Sequence, residues 1–204
     1  MENKMHWEHI YQTKPATQVS WFQAHPLLSL QYIQNTGIGK TGHIIDVGGG
    51  ASTLVDHLLD AGFQHITVLD ISVTALQVSQ QRLDARADSV TWLEAEITQV
   101  TLPNFVYDVW HDRAVFHFLT EPDDRRRYVD AVQKSVKPGG HVIVATFALD
   151  GPQQCSGLEV TRYDRESLHN EFGADFELLE SSREEHHTPF GTEQKFIYCY
   201  CRKR

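Results

Sequence analysis

His43-Ile44-Ile45-Asp46-Val47-Gly48-Gly49-Gly50 is the stretch from which the rest of the chain can be read. A β-branched run meets three consecutive glycines, the mark of a strand that turns sharply at its end. Glycine suits that corner because it takes positive φ and lets a ligand approach the main chain closely. Ser52 or Thr53 can cap a following helix, whose apolar Leu54, Val55, Leu58 and Leu59 recur at helical spacing, with Gly62 as its stop.

The same alternation continues outward. A second strand over Ile66–Asp70 precedes a helix from Ser72 to about Leu83, and a third strand covers Val90 to Leu93. A fourth strand is expected from about Tyr107 to Trp110. Pro122 opens a helix with an inner face of Tyr128, Val129, Val132 and Val136, ended by Pro138-Gly139-Gly140. Strand five runs from His141 to Thr146. After a short helix beyond Asp164, strands near Phe176–Ser181 and Lys195–Cys201 form an antiparallel hairpin at the sheet edge. This is an α/β chain with a mostly parallel sheet. It reads as one domain over 1–204: a helical lid over 1–40, a core over 41–147, and a substrate-side loop with the hairpin over 148–204.

The 204 residues carry 18 Lys plus Arg against 27 Asp plus Glu, a net charge of −9. That balance argues against a dedicated nucleic-acid binder. No apolar run approaches the roughly 20 residues that span a bilayer, and the polar start, MENKMHWEHIYQ, has no signal-peptide segment. Three cysteines without a C-x-x-C pair make no disulfide framework, and Cys199 and Cys201 read as small buried hydrophobes. The expected compartment is the cytoplasm.

Exposed N–H groups after a glycine corner favour an anionic group. Asp70 follows Asp46 by 24 residues, at the end of the next strand. A doubly wound sheet places an acid there to accept hydrogen bonds from a ribose diol. The plainer alternative is that Asp70 only caps the next helix. A dinucleotide fingerprint would need a third glycine where Thr53 stands, and Asp46 would sit badly beside a pyrophosphate. An acid beside a glycine turn suits the zwitterionic aminoacyl tail of S-adenosylmethionine better.

Asp46-Val-Gly48-Gly-Gly50, Asp70, Glu94-Ala-Glu96-Ile97 and Lys137-Pro138-Gly139-Gly140 together resemble the class I S-adenosylmethionine-dependent methyltransferases. The likeness covers about residues 40–147. It implies a three-layer, Rossmann-like, doubly wound sheet of seven strands with the last one antiparallel. It also implies that Gly48 and Gly50, with Gly49 between them, line the methionyl end and that Asp46 lies near its amino group. Asp70 and the adjacent Ile71 would serve the ribose side, and Glu96 and Ile97 would flank the adenine. The family more often has Asp where this chain has Glu96. The opening segment, with Trp7, Tyr11 and Trp21, is similar to that of small bacterial members and some protein-lysine methyltransferases, where it lies over the cofactor. Aromatic faces attract a sulfonium and exclude water.

Methyl transfer from a sulfonium is an in-line displacement, so the protein must chiefly align the acceptor, with a base only where the acceptor starts protonated. His111 and Asp112 are expected to emerge beyond strand four, facing the methyl group. With His117 they are the candidate bases. The alternative has His117 buried in a helix and Asp112 paired with Arg113. The Asn/Asp-Pro-Pro-Tyr sequence of amide and adenine N-methyltransferases is absent. Cys155 is a candidate soft contact for a thiol or metalloid acceptor. Adjacent His186 and His187 make a poor metal site, and Arg125-Arg126-Arg127 reads as a solvated face. The leading expectation is a methyltransferase acting on a small molecule and releasing S-adenosylhomocysteine. Its rivals are a protein-lysine methyltransferase, an NAD-dependent oxidoreductase and a non-catalytic cofactor-binding protein; no membrane or nucleic-acid partner is expected.

Overall fold

The computed structural model describes residues 2–204. Helices α1 (Glu2–Thr13) and α2 (Leu27–Asn35) come first. Then β1 (His43–Val47), α3 (Leu54–Asp60), β2 (His65–Asp70), α4 (Val73–Leu83) and β3 (Val90–Glu94) alternate as two parallel crossovers. A third unit consists of β4 (Tyr107–Arg113), α5 (Pro122–Ser135) and β5 (Val136–Phe147). The chain ends with α6 (Arg165–Phe172), β6 (Phe176–His187) and β7 (Glu193–Lys203).

The strand order is β3-β2-β1-β4-β5-β7-β6. β1 to β5 run parallel, whereas β7 is antiparallel to both β5 and β6. This is the expected seven-stranded, three-layer sheet, with its last strand reversed and a hairpin at one edge. The order changes direction between β1 and β4, which makes their carboxyl ends the switch point where such sheets bind ligands.

Both faces of the sheet are covered, which is why its inner strands read as unbroken apolar runs. On one side Ile44, Val68, Val109 and Ile143 pack against Tyr32 and Ile33 of α2, Leu54 and Leu58 of α3, and Leu76 of α4. On the other, Ile45, Val47, Trp110 and Val144 meet Tyr128 and Val132 of α5 and Leu168 and Phe172 of α6. Each such side chain contributes about 1.5–3 kcal/mol on full burial. α2 is therefore part of the layered core, while α1 alone lies over the sheet's end.

Several boundaries differ from the sequence reading, the last two strands among them, which run on to His187 and from Glu193 to Lys203. β4 runs three residues past Trp110, because Asp112 still pairs with Val47 and Val144. α5 stops at Ser135, and Lys137-Pro138-Gly139-Gly140 forms an irregular entry into β5, where the register jumps from Tyr107–Val136 to Val109–His141. Of the two cap candidates at α3, Ser52 receives the first helical N–H, from Leu54 at 3.1 Å, while the Thr53 hydroxyl donates to Gln23 O. Ser72 caps α4 as expected, accepting from Ala75 N at 3.1 Å.

Candidate active site

The corner after β1 is closed by Leu69 of β2, whose carbonyl accepts from the Gly48 and Gly49 amides at 2.7 and 3.2 Å. A Cβ on Gly49 would lie 2.4 Å from Asp46 Oδ2, and one on Gly50 would lie 2.4 Å from Asp70 Oδ2. Two of the three glycines thus make room for the two acids. Gly50 lies under Asp70 and away from the cleft lining.

Asp70 is buried at the end of β2, and its Oδ1 accepts from Ser72 N at 2.9 Å. Burial outweighs that bond and pushes its carboxyl up to about 7. Asp46 is 2% exposed and shares its Oδ1 with His111 Nδ1 at 2.7 Å, while its Oδ2 is buried with no partner. A buried carboxylate oxygen without a donor carries a large desolvation cost, which an ammonium seated there would offset.

Two lobes of one cleft open beside these acids. The first spans about 870 Å3, open solvent included, and is lined by Gly48, Asp70, Ile71, Glu96 and Ile97, with Trp7, Tyr11 and Trp21 over them. The second encloses about 570 Å3 and is lined by Asp46, Gly48, Gly49, Ser29 and His111, again with Tyr11 and Trp21. Glu96 is held half-buried, accepting from Thr98 Oγ1 at 3.1 Å and Gln99 Nε2 at 2.7 Å.

The aromatic roof is fixed by its own packing. Trp7 meets Trp21 edge-on at 5.6 Å between ring centres and Phe118 at 5.1 Å. On α1, Glu8 accepts from Val73 N at 2.6 Å and from Thr74 Oγ1 at 2.5 Å. A carboxylate therefore sits at the start of α4, where the helix dipole favours it. Lys4 also pairs with Glu94 at the end of β3.

Several residues of the site had no signal in the sequence. Arg113, the last residue of β4, lines both lobes and pairs with Glu184 of β6 at 2.9 and 3.1 Å. It also donates to Trp21 O at 3.2 Å and lies 4.1 Å from the centre of the Phe196 ring. Ser29 of α2 contacts His111 Nε2 at 2.8 Å. Cys155 does line the first lobe, with its thiol pushed up to about 12 by burial.

The three expected bases sit elsewhere than anticipated. His111 and Asp112 lie inside β4, 3% and 0% exposed, so neither emerges beyond the strand. His111 reaches Asp46. Asp112 faces the opposite side of the sheet, where Tyr128 donates to it at 2.6 Å and the amides of Val115 and Phe116 at 2.8 and 3.1 Å. It does not pair with Arg113. Deleting that carboxylate leaves three donors without an acceptor, two of them buried and one partly so, and Asp112→Ala is expected to cost about 2–4 kcal/mol of stability in urea unfolding. His117 is fully buried in a short 3-10 helix after β4, as the alternative reading had it, and accepts from Phe147 N at 3.3 Å; burial lowers its imidazole to about 3, leaving it neutral. His186 belongs to β6 and contacts Ser20 O at 2.7 Å, outside both lobes.

Comparison with known proteins agrees with this fold. Residues 45–142 match the methyltransferase domain family. Over 70% of its length the chain is 25% identical to a mouse eEF1A lysine and N-terminal methyltransferase, of which it spans 21%. It is 24% identical to human EEF1A lysine methyltransferase 2, over 86% of this chain and 74% of that protein. The chain thus covers about a fifth of the first curated relatives it matches. A structure concerned with converting a disulfide bond into a thioacetal group during echinomycin biosynthesis superposes with a TM-score of 0.80 at 16% identity, covering 98% of this chain and 92% of that one. The N-methyltransferase NodS of Bradyrhizobium japonicum, solved with S-adenosylhomocysteine, superposes at 0.73 and 15% identity, over 96% and 97% of the two chains. Residues 45–142 thus carry a methyltransferase domain, and the chain as a whole has the fold of solved S-adenosylmethionine-dependent methyltransferases.

Proposed function

We propose that the protein transfers the methyl group of S-adenosylmethionine to a small-molecule acceptor. One observation carries this reading: a buried ribose-type acid, Asp70, and the partnerless Asp46 Oδ2 stand along one cleft joined by Gly48. Asp70 would accept from the ribose hydroxyls, Asp46 Oδ2 from the amino group, and Ile71, Glu96 and Ile97 would enclose the adenine. The corner at Gly48 brings bare backbone to the methionyl end. Once bound, the cofactor supplies a methyl carried on a sulfonium. The chain's own part is to hold the acceptor in line and to keep water out, work suited to the roof of Trp7, Tyr11 and Trp21.

The acceptor end supports a small molecule. Among the described residues, the charged residue lining the first lobe beyond Asp70 and Glu96 is Arg113, and Glu184 already balances it. Trp7, Trp21, Phe118 and Cys155 otherwise give this end an apolar, soft surface. Since Asp112 and His117 are packed away from both lobes and His111 is tied to Asp46 and Ser29, we assign no base, and the acceptor is one whose nucleophile is free at working pH. The named relatives favour a second reading, a lysine side chain as acceptor.

Calorimetry with S-adenosylhomocysteine tests the cofactor. Binding in the micromolar range is expected, unchanged in Arg126→Ala because Arg126 lies on the outer face of α5, paired with Asp123. Absence of heat would overturn the reading. Labelled cofactor added to lysate separates the acceptors: label in the small-molecule fraction supports this proposal, and a discrete protein band supports the lysine reading. A mass-spectrometric screen across thiol, amine, carboxylate and metalloid acceptors would then identify the product.

A further inference from the structure

Asp46, His111 and Ser29 form a hydrogen-bonded row along the wall of the second lobe, contributed by β1, β4 and α2. His111 Nδ1 lies 2.7 Å from Asp46 Oδ1, and His111 Nε2 lies 2.8 Å from Ser29 Oγ. Ser29 Oγ is in turn 3.2 Å from the hydroxyl of Tyr198 on β7. All four residues are buried. Each is held from both sides except Asp46, whose second oxygen has no donor.

We propose that His111 is a positioning residue for the amino-acid end of the cofactor. With Nδ1–H donating to Asp46 Oδ1, the imidazole fixes the carboxylate's rotation and leaves the buried Oδ2 as its unpartnered acceptor. Ser29 and Tyr198 lock the ring from the far side, so the orientation of Asp46 is set by residues 17 to 152 positions away in the chain. An ammonium presented to Oδ2 then meets a carboxylate already turned toward it, which removes an ordering cost from binding. The row has the hydrogen-bond order of a Ser-His-Asp triad, but its serine is 1% exposed and occupied by Tyr198. Its direction runs toward the carboxylate, and its product is an aimed acid.

This inference rests on the cofactor reading above, and its test separates the two. The probes are S-adenosylhomocysteine and 5′-methylthioadenosine, which keeps the nucleoside but lacks the amino acid. In His111→Leu, calorimetry should show S-adenosylhomocysteine weakened by about tenfold or more, the scale of one charge-assisted hydrogen bond. Methylthioadenosine affinity should be unchanged, which also shows that the variant is folded. His111→Asn, which carries a donor where Nδ1 stood, should restore most of the loss, and His111→Gln, whose donor lies at the Nε2 position, should not. Equal losses for both ligands, or Asn behaving as Leu does, would overturn the positioning role alone. A wild-type protein that binds neither ligand would overturn the cofactor reading, and this inference with it.

Discussion

Asp70→Ala is expected to weaken S-adenosylhomocysteine binding by about 1.5–3 kcal/mol for each ribose hydrogen bond lost, roughly ten- to a hundredfold per bond. The wild-type protein should also show a pH dependence traceable to this one group. Burial holds the Asp70 carboxyl at about 7, so below neutrality it is largely protonated and less able to accept from two hydroxyls. Affinity should therefore fall by up to about tenfold per unit as pH drops below 7 and level off above it. Folding responds in the opposite sense. Because the folded value is raised above the unfolded one, Asp70's contribution to stability is greatest in acid and declines as pH rises from about 4 toward 7. Titration calorimetry between pH 5.5 and 8.5 reads the first effect, and Asp70→Asn should flatten the profile. A flat wild-type profile would mean that Asp70 does not meet the ribose.

Gly48→Ala should be strongly damaging, because an added methyl meets both a backbone and a packing penalty. Gly48 has φ of 71°, a left-handed conformation that costs an alanine about 1–2 kcal/mol. Its Cβ would also fall 2.0 Å from Val115 Cγ2, an overpacking worth about 1–3 kcal/mol more. A loss of about 2–5 kcal/mol is expected in urea unfolding, with S-adenosylhomocysteine binding abolished, because the displaced Val115 loop lines the first lobe. Gly62→Ala isolates the backbone part. Gly62 has φ of 86° with open space around the added carbon, so about 1–2 kcal/mol should be lost and binding kept. Equal losses in the two variants would show that the contact with Val115 is not limiting.

Much of the fold could be read from the chain because its signals are local. The β-branched runs, Ser72 before α4 and the stop at Gly62 each act within a few residues. The glycine corner and Asp70 were informative for the same reason, since both sit where a strand ends. Placing the remaining site residues depended on pairings far apart in sequence. Whether β4 ends at Trp110 or Arg113 is decided by β1 and β5, and those three residues separate an exposed His111 and Asp112 from buried ones. Arg113 meets Glu184 across 71 positions and Ser29 meets His111 across 82, with no motif to announce either. The tasks of Gly49 and Gly50 were also visible only in three dimensions. They look like a cradle for a ligand, yet they first accommodate the carboxylates of Asp46 and Asp70.

The aromatic roof has a spectroscopic consequence. The chain has four tryptophans, and Trp7 and Trp21 both face the first lobe. Trp110 is sealed in the interior, donating to Tyr128 at 2.8 Å, and Trp92 donates to Ala87 O at 3.0 Å. The indole emission therefore divides into one pair that senses occupancy and another that senses only the integrity of the sheet. A single fluorescence titration can follow both without any attached dye.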